Sequence, residues 1–264
     1  MKNIHHLILG AAALVCLIPL NIQASELLDA ATIGNTDTAR RLIKEGADIN
    51  AKDKDGYTPL LRAAKDNKTG IARLLINEGA NIHASVNGST PLHMAALHGN
   101  TELARLLIDR GADVNAHEND YNISPLHIAA GLGNAELASL LIDKGADVNA
   151  KTSCVVGEDG KAPLHFAFNA EVASLLINKG ANVNAENVDG ITPLHEAALY
   201  GRTEVVKLLI DRGANVNVKD KDGKPPLHHA ATKGHNEIIP ILIAKGADFK
   251  ARDKDGKTPA AYLR

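Results

Sequence analysis

Tryptophan is absent from the 264 residues, and only seven other aromatic side chains occur: Tyr57, Tyr121, Tyr200, Tyr262, Phe166, Phe168 and Phe249. The apolar load, 45% of the chain, therefore falls on Leu, Ile, Val and Ala, which suits thin helical layers better than one deep core. Cysteine is nearly absent too. Cys16 and Cys154 cannot build a disulfide framework, and their spacing matches no zinc or redox motif. Charge of one sign is also missing: 29 Lys and Arg face 31 Asp and Glu, for a net −2 spread along the chain. A nucleic-acid binder needs a basic stripe, and none is present. No Gly-rich phosphate loop or nucleophile elbow appears, so the pattern is not that of an enzyme and calls for no cofactor.

One long apolar run exists, Leu7 to Leu20, and its 14 residues fall short of the roughly 18 that cross a bilayer. It follows a short polar start with Lys2 and precedes Asn21-Ile22-Gln23-Ala24 and the acidic Ser25-Glu26, the pattern of a secretory signal over residues 1–24. The expectation is removal after Ala24. Ile22, large for its place, leaves an uncleaved anchor as the alternative, and Val15 argues against a lipid anchor at Cys16. Cleavage takes 24 of 264 residues and leaves 240, and losing Lys2 moves the charge from −2 to −3. A periplasmic or secreted protein, bacterial by the simpler account, with Cys154 as its single thiol is expected.

From residue 46 the chain repeats itself. Glycines of Gly-Ala-Asp or Gly-Ala-Asn recur at 46, 79, 111, 145, 180, 213 and 246, at spacings of 32 to 35. A second marker keeps the same phase: Thr58-Pro59-Leu60-Leu61, Thr90-Pro91-Leu92-His93, Ser124-Pro125-Leu126-His127, Ala162-Pro163-Leu164-His165, Thr192-Pro193-Leu194-His195 and Pro225-Pro226-Leu227-His228. Thr or Ser before Pro starts a helix, because the hydroxyl caps free amides and Pro loses nothing in the first turn. His three residues on can reach back as in a capping box. Paired alanines such as Ala95-Ala96 and Ala197-Ala198 let a second helix approach. That helix carries an apolar stripe, for example Leu103/Leu106/Leu107 and Leu137/Leu140/Leu141, and glycine ends it in a left-handed cap.

This 33-residue pattern resembles the ankyrin repeat, over essentially all of residues 26–264. The resemblance implies an all-α solenoid of stacked units, each a β-hairpin or turn followed by two antiparallel helices. The units fall at about 55–84, 87–116, 121–150, 158–187, 189–218 and 222–251, after a capping repeat at 25–54 and before a truncated one at 258–264. Thr38 and Arg41 replace apolar stripe residues where solvent begins, and the carboxyl end, which stops inside a first helix, is expected to fray. The fourth unit is irregular: Gly145 to Pro163 is 18 residues against 12 to 14 elsewhere, and Pro163 to Gly180 is 17 against 20. Lys151 to Lys161 is therefore read as a long mobile loop, either a tolerated insertion or a contact for a partner.

Twelve histidines invite a metal reading, but His93, His127, His165, His195 and His228 repeat one slot in stacked units about 8 to 10 Å apart. Such a ladder cannot converge on one ion. Asp53-Lys54-Asp55-Gly56, Asp220-Lys221-Asp222-Gly223 and Asp253-Lys254-Asp255-Gly256 hint at calcium loops. Arg62, His229 and Tyr262 stand where the loop needs Glu, so turns are the better reading. What remains is recognition. The resemblance implies a protein partner held by the hairpin tips and the concave face of the first helices. Carried onto this chain, the helix-face set is Arg62, Lys65 and Asp66; Met94, Leu97 and His98; Ile128 and Leu132; Phe166 and Phe168; Glu196, Leu199 and Tyr200; His229, Thr232 and Lys233. An apolar centre with a polar rim is how contact hot spots are arranged, though Ile128 and Phe168 could instead pack between units. The expectation is a monomeric, exported binding module. The alternatives are a secreted effector engaging a host protein, and an accessory or protective subunit of an exported enzyme.

Overall fold

The computed structural model describes residues 20–118, 121–153 and 160–263, so Cys16 and Cys154, most of the leader and the centre of the long loop lie outside the described residues. Among the described residues fourteen helices run in pairs. The first pair is α1 (Leu20–Ile33) and α2 (Thr36–Lys44). Six repeats follow: α3 (Pro59–Lys65) with α4 (Thr69–Asn77), α5 (Pro91–Leu97) with α6 (Thr101–Asp109), and α7 (Pro125–Leu132) with α8 (Ala135–Asp143). Then come α9 (Pro163–Phe166) with α10 (Ala170–Asn178), α11 (Pro193–Leu199) with α12 (Thr203–Asp211), and α13 (Pro226–Lys233) with α14 (Ile238–Ala244). First helices stack on first helices and second on second, and one apolar core runs from Leu27 to Ala247. No helix among the described residues is long and apolar enough to cross a membrane.

Local chemistry explains each joint. The Thr90 hydroxyl accepts the His93 amide while the Thr90 amide donates to His93 Nδ1 at 3.3 Å, so cap and third residue satisfy each other. At the other end of a pair, Gly46 turns at φ 93° and the Ala47 amide donates to the Leu42 carbonyl at 3.0 Å, closing the helix in a Schellman turn. Ala129 and Ala130, fully buried, hold no bulk between the two helices of their repeat.

Of the two forms expected for the segments between repeats, the turn is the one observed: among the described residues the only ladder contact is an isolated Val86–Ser89 bridge. The segments are Asx turns. In one, Asp53 Oδ1 accepts the Asp55 and Tyr57 amides, both at 2.9 Å, so the carboxylate closes its own finger rather than a calcium site. The carboxyl end does not hang loose. Its 3-10 turn (Pro259–Tyr262) packs on α13, and the Tyr262 hydroxyl donates to Asp253 Oδ2 at 2.6 Å. The long loop is closed at its base, where the Thr152 amide donates to the Lys161 carbonyl at 3.0 Å and the Gly160 amide to the Thr152 carbonyl at 2.8 Å, and its centre lies outside the described residues.

Asparagine ties successive turns together. Asn115 Oδ1 accepts the Asp147 amide at 2.9 Å and its Nδ2 donates to the Gly145 carbonyl at 3.0 Å, and Asn149, Asn184 and Asn217 repeat the motif. His83 occupies that slot in the first repeat, and no such rung crosses from it to the second. Replacing His83 with Asn supplies the missing pair of bonds. At about 1 kcal/mol for each net hydrogen bond, less the ordering of an exposed side chain, a gain of about 1 kcal/mol in urea unfolding is expected. An unchanged midpoint refutes this account of the ladder.

Candidate functional site

The histidine slot is built from two directions. Each ring faces its own helix cap with Nδ1, and its Nε2 crosses to the next finger: His93 to the Ile123 carbonyl, His165 to Ile191, His195 to Lys224 and His228 to Lys257, all at 3.1 Å. His127 reaches both the Ala150 and Lys161 carbonyls, at 3.1 and 3.2 Å. A carbonyl only accepts, so Nε2 carries the hydrogen and Nδ1 is left to accept from the cap. The capping half of this role was legible in the sequence and the cross-repeat half was not. Burial pushes His127, His165 and His195 down to about 4, and lowers His93 and His228 as well. These rings are neutral structural bolts.

The sixth repeat shows what the cap contributes. Pro225 has neither an amide hydrogen nor a hydroxyl to offer, and His228 Nδ1 is buried without a partner. Pro225→Thr restores both donors. Relieving an unsatisfied buried acceptor is worth about 1–3 kcal/mol, against about 0.4–1 kcal/mol for the lost rigidity of Pro in the unfolded chain. A net gain of about 1 kcal/mol is expected by thermal or urea unfolding, and a loss would show that the orphaned nitrogen costs nothing.

Four residues of the expected contact set are engaged within the protein itself. Nine residues after each finger Asp, a first-helix side chain grips its second carboxylate oxygen: Arg62 Nε bonds Asp53 Oδ2 at 2.7 Å, and His229 Nε2 meets Asp220 Oδ2 at 2.8 Å. Glu196, at the same place in the fifth repeat, is 5% exposed and pairs with Lys161 Nζ at 2.9 Å. Met94 is 8% exposed in the core. Phe166 is half-buried, its ring edge-on to His127 at 5.5 Å. Lys65 is exposed, with its ammonium 4.6 Å from the Tyr57 ring centre. Leu199 is half-buried, as are Asp66 and Ile128, while His98, Thr232 and Lys233 are exposed.

The apolar centre of the set is open. Leu97 is 50% exposed, Leu132 52%, Phe168 58% and Tyr200 59%. Leu97 and Leu132 end their first helices, and Phe168 and Tyr200 stand just beyond theirs. Those ends are bridged one to the next: His98 Nε2 to the Lys65 carbonyl at 2.6 Å, Asn134 Nδ2 to Gly99 at 3.3 Å, Asn169 Nδ2 to Gly133 at 3.0 Å, and His235 Nε2 to Leu199 at 3.1 Å. The four side chains thus lie along one continuous row of junctions.

Between Phe168 and Tyr200 sits a residue the sequence reading passed over. Arg202 takes the slot that Asn100, Asn134 and Asn169 fill elsewhere, where their amide oxygens cap the second helix at 2.9 Å. Helix α12 has no side-chain cap. Arg202 instead repairs the fourth repeat, whose first helix ends early at Phe166 and leaves carbonyls free. Its Nη1 donates to the Phe166 and Ala167 carbonyls at 3.3 and 3.1 Å, while the Phe168 amide donates to Ala130 at 3.0 Å. The missing three residues and the Asn-to-Arg exchange one repeat later are two parts of one feature, which was the available sequence signal.

A series of helix pairs joined by turn-rich fingers, stapled by a histidine ladder and an asparagine ladder, defines a helical repeat solenoid. The sequence model for ankyrin repeats in three copies matches residues 27–118, 81–152, 115–187 and 169–253, and the chain belongs to the ankyrin repeat family. A search of the curated proteins finds no match. Proteins of this family typically serve as non-enzymatic scaffolds that bind other proteins.

Proposed function

We propose that this protein is an exported, monomeric binding module that holds another protein along its first-helix face, centred on the junction row. The observation that carries the reading is the row itself: four large apolar side chains, each half or more exposed, aligned on four successive repeats. Isolated exposed apolar residues are ordinary, but a contiguous file rimmed by Lys65, His98 and Lys233 is the form of a contact surface. No catalytic role is assigned to any residue.

Export rests on the leader pattern of residues 1–24. The proposed cut after Ala24 falls within α1, and from Ile22 onward the first buried side chain is Leu27, which the cut leaves in the mature chain. Intact mass of the chain from the exported fraction tests this, with Ser25 as the expected first residue and retention of residues 1–24 as the refuting result.

The binding reading is tested by affinity capture with residues 25–264 from the producing cell's exported fraction, beside a Leu97→Ala, Leu132→Ala, Phe168→Ala, Tyr200→Ala variant. One stoichiometric partner, lost in the variant, is expected. A partner retained by the variant overturns the row as the contact surface, and partners found only in host extracts favour the effector alternative.

A further inference from the structure

We infer that Arg202 is the charged anchor of the contact row and receives a carboxylate of the partner protein between Phe168 and Tyr200. The inference rests on the binding-module reading and names the chemistry of its partner.

The guanidinium lies 5.8 Å from the Phe168 ring centre and 5.0 Å from that of Tyr200, so two exposed aromatic rings flank it. Both of its hydrogen bonds leave from Nη1, and Nε and Nη2 make none. No described carboxylate forms an ion pair with it. The acidic side chains nearest in sequence are committed elsewhere, Glu196 to Lys161 at 2.9 Å and Glu204 to Lys207 at 2.7 Å. A half-buried cation is thus held in place by two neutral carbonyls with no carboxylate in direct contact; burial lowers its hold on its proton, and the charge of Glu196, itself paired to Lys161, opposes this only from a distance. A guanidinium with an open Nε–Nη2 edge matches a carboxylate in two parallel hydrogen bonds. Arg and Tyr at the centre of an apolar patch are also the residue types that dominate binding energy.

The row sets the rest of the partner. From Leu97 to Tyr200 there are three steps of about 10 Å, about 30 Å in all, which about nine extended residues cover. The fitting segment places apolar side chains on Leu97 and Leu132 and an acidic group at its Arg202 end.

Random twelve-residue peptides displayed as fusions, with no free chain terminus, are selected on residues 25–264, and the enriched sequences are synthesised in amidated and free-acid forms. Enrichment of Asp or Glu beside Leu, Ile or Phe is expected. Affinity by calorimetry should fall at least tenfold on Arg202→Gln, which keeps an amide donor for the Phe166 and Ala167 carbonyls, and several-fold on Phe168→Ala, with thermal unfolding of both variants recorded alongside. Changing the peptide's acid to Lys should weaken binding equally. Similar affinity of amidated and free-acid forms identifies a side-chain carboxylate, and preference for the free acid identifies a chain terminus. Enriched peptides without an acidic residue, or peptides indifferent to Arg202→Gln, overturn the arginine anchor and leave the binding-module reading standing. Failure to select any peptide overturns the anchor as well, and the capture experiment then decides the module reading alone.

Discussion

Acid unfolds this protein over the range in which histidine ordinarily titrates. His127, His165 and His195 are held to about 4 by burial, while the same imidazoles in the unfolded chain take protons at about 6.5. Protons therefore bind the unfolded chain more tightly. Stability is complete above about pH 6.5, falls as pH drops through that value, and continues to fall to about pH 4, where the folded rings begin to charge. Each pH unit of that gap is worth about 1.4 kcal/mol per ring, so each histidine withdraws about 3 kcal/mol and the three together about 10 kcal/mol. A domain of ordinary stability has about 5–15 kcal/mol in all. The loss is thus large enough to unfold the stack near pH 4–5.

The geometry gives the same sign. Nε2 of each ring already donates to the next finger, so a new proton must go to Nδ1, against a cap amide that also donates; in the fifth repeat that amide is Thr192's, at 3.1 Å. Two donors then face each other in a buried site. Urea unfolding at pH 7.5, 6 and 5 tests this, with roughly half of the full loss expected by pH 5. His195→Gln costs stability at pH 7.5 but flattens the profile by about 1.4 kcal/mol per pH unit below pH 6. A wild-type midpoint equal at pH 5 and pH 7.5 refutes the claim.

The parts of this fold that were legible in the sequence are those set by short-range chemistry. Gly246 ends a helix because its own φ of 90° requires it, and Thr192 starts one because its own amide and hydroxyl meet His195 three residues on. Both signals sit inside a few residues. The failures all involve a side chain whose surroundings come from elsewhere in the stack. Met94 and Glu196 share a first-helix position that looks outward on a single repeat, yet one is covered and the other paired to Lys161 from the preceding loop. Tyr262 reaches its Asp253 only because the last finger folds back over α13. Arg202 is the plainest case, since its role depends on three residues missing from a different repeat. Leu97, Leu132 and Tyr200 were legible as exposed because an apolar residue at the end of a short helix has no later turn of that helix to cover it.

Leu176→Ala is expected to cut the solenoid in two. Leu176 is fully buried on α10, and removing three carbons from such a site costs about 2–5 kcal/mol in lost transfer energy and residual cavity. In a compact domain that loss lowers one cooperative transition. A solenoid differs, because each repeat contacts only its neighbours and cooperativity is carried by the interfaces between them. The fourth repeat already holds the weakest seam: its first helix has four residues where others have seven or eight, and Ala162 has no hydroxyl with which to cap it, a deficit of about 0.5–2 kcal/mol. Adding the Leu176 cavity to that seam makes the repeat cost more to keep folded than its two interfaces return, and the flanking halves then unfold separately. Leu42→Ala, equally buried on α2, removes as many carbons but should only loosen the terminal pair and leave the main transition single. Urea unfolding followed by circular dichroism, with hydrogen exchange to locate the event, separates these outcomes. Two transitions are expected for Leu176→Ala, with amides of α10 losing protection first. A single transition for both variants, displaced equally, would mean that the interfaces carry cooperativity straight across the short repeat, and that Arg202 and the Phe168–Ala130 bond restore in full what the missing turn removed.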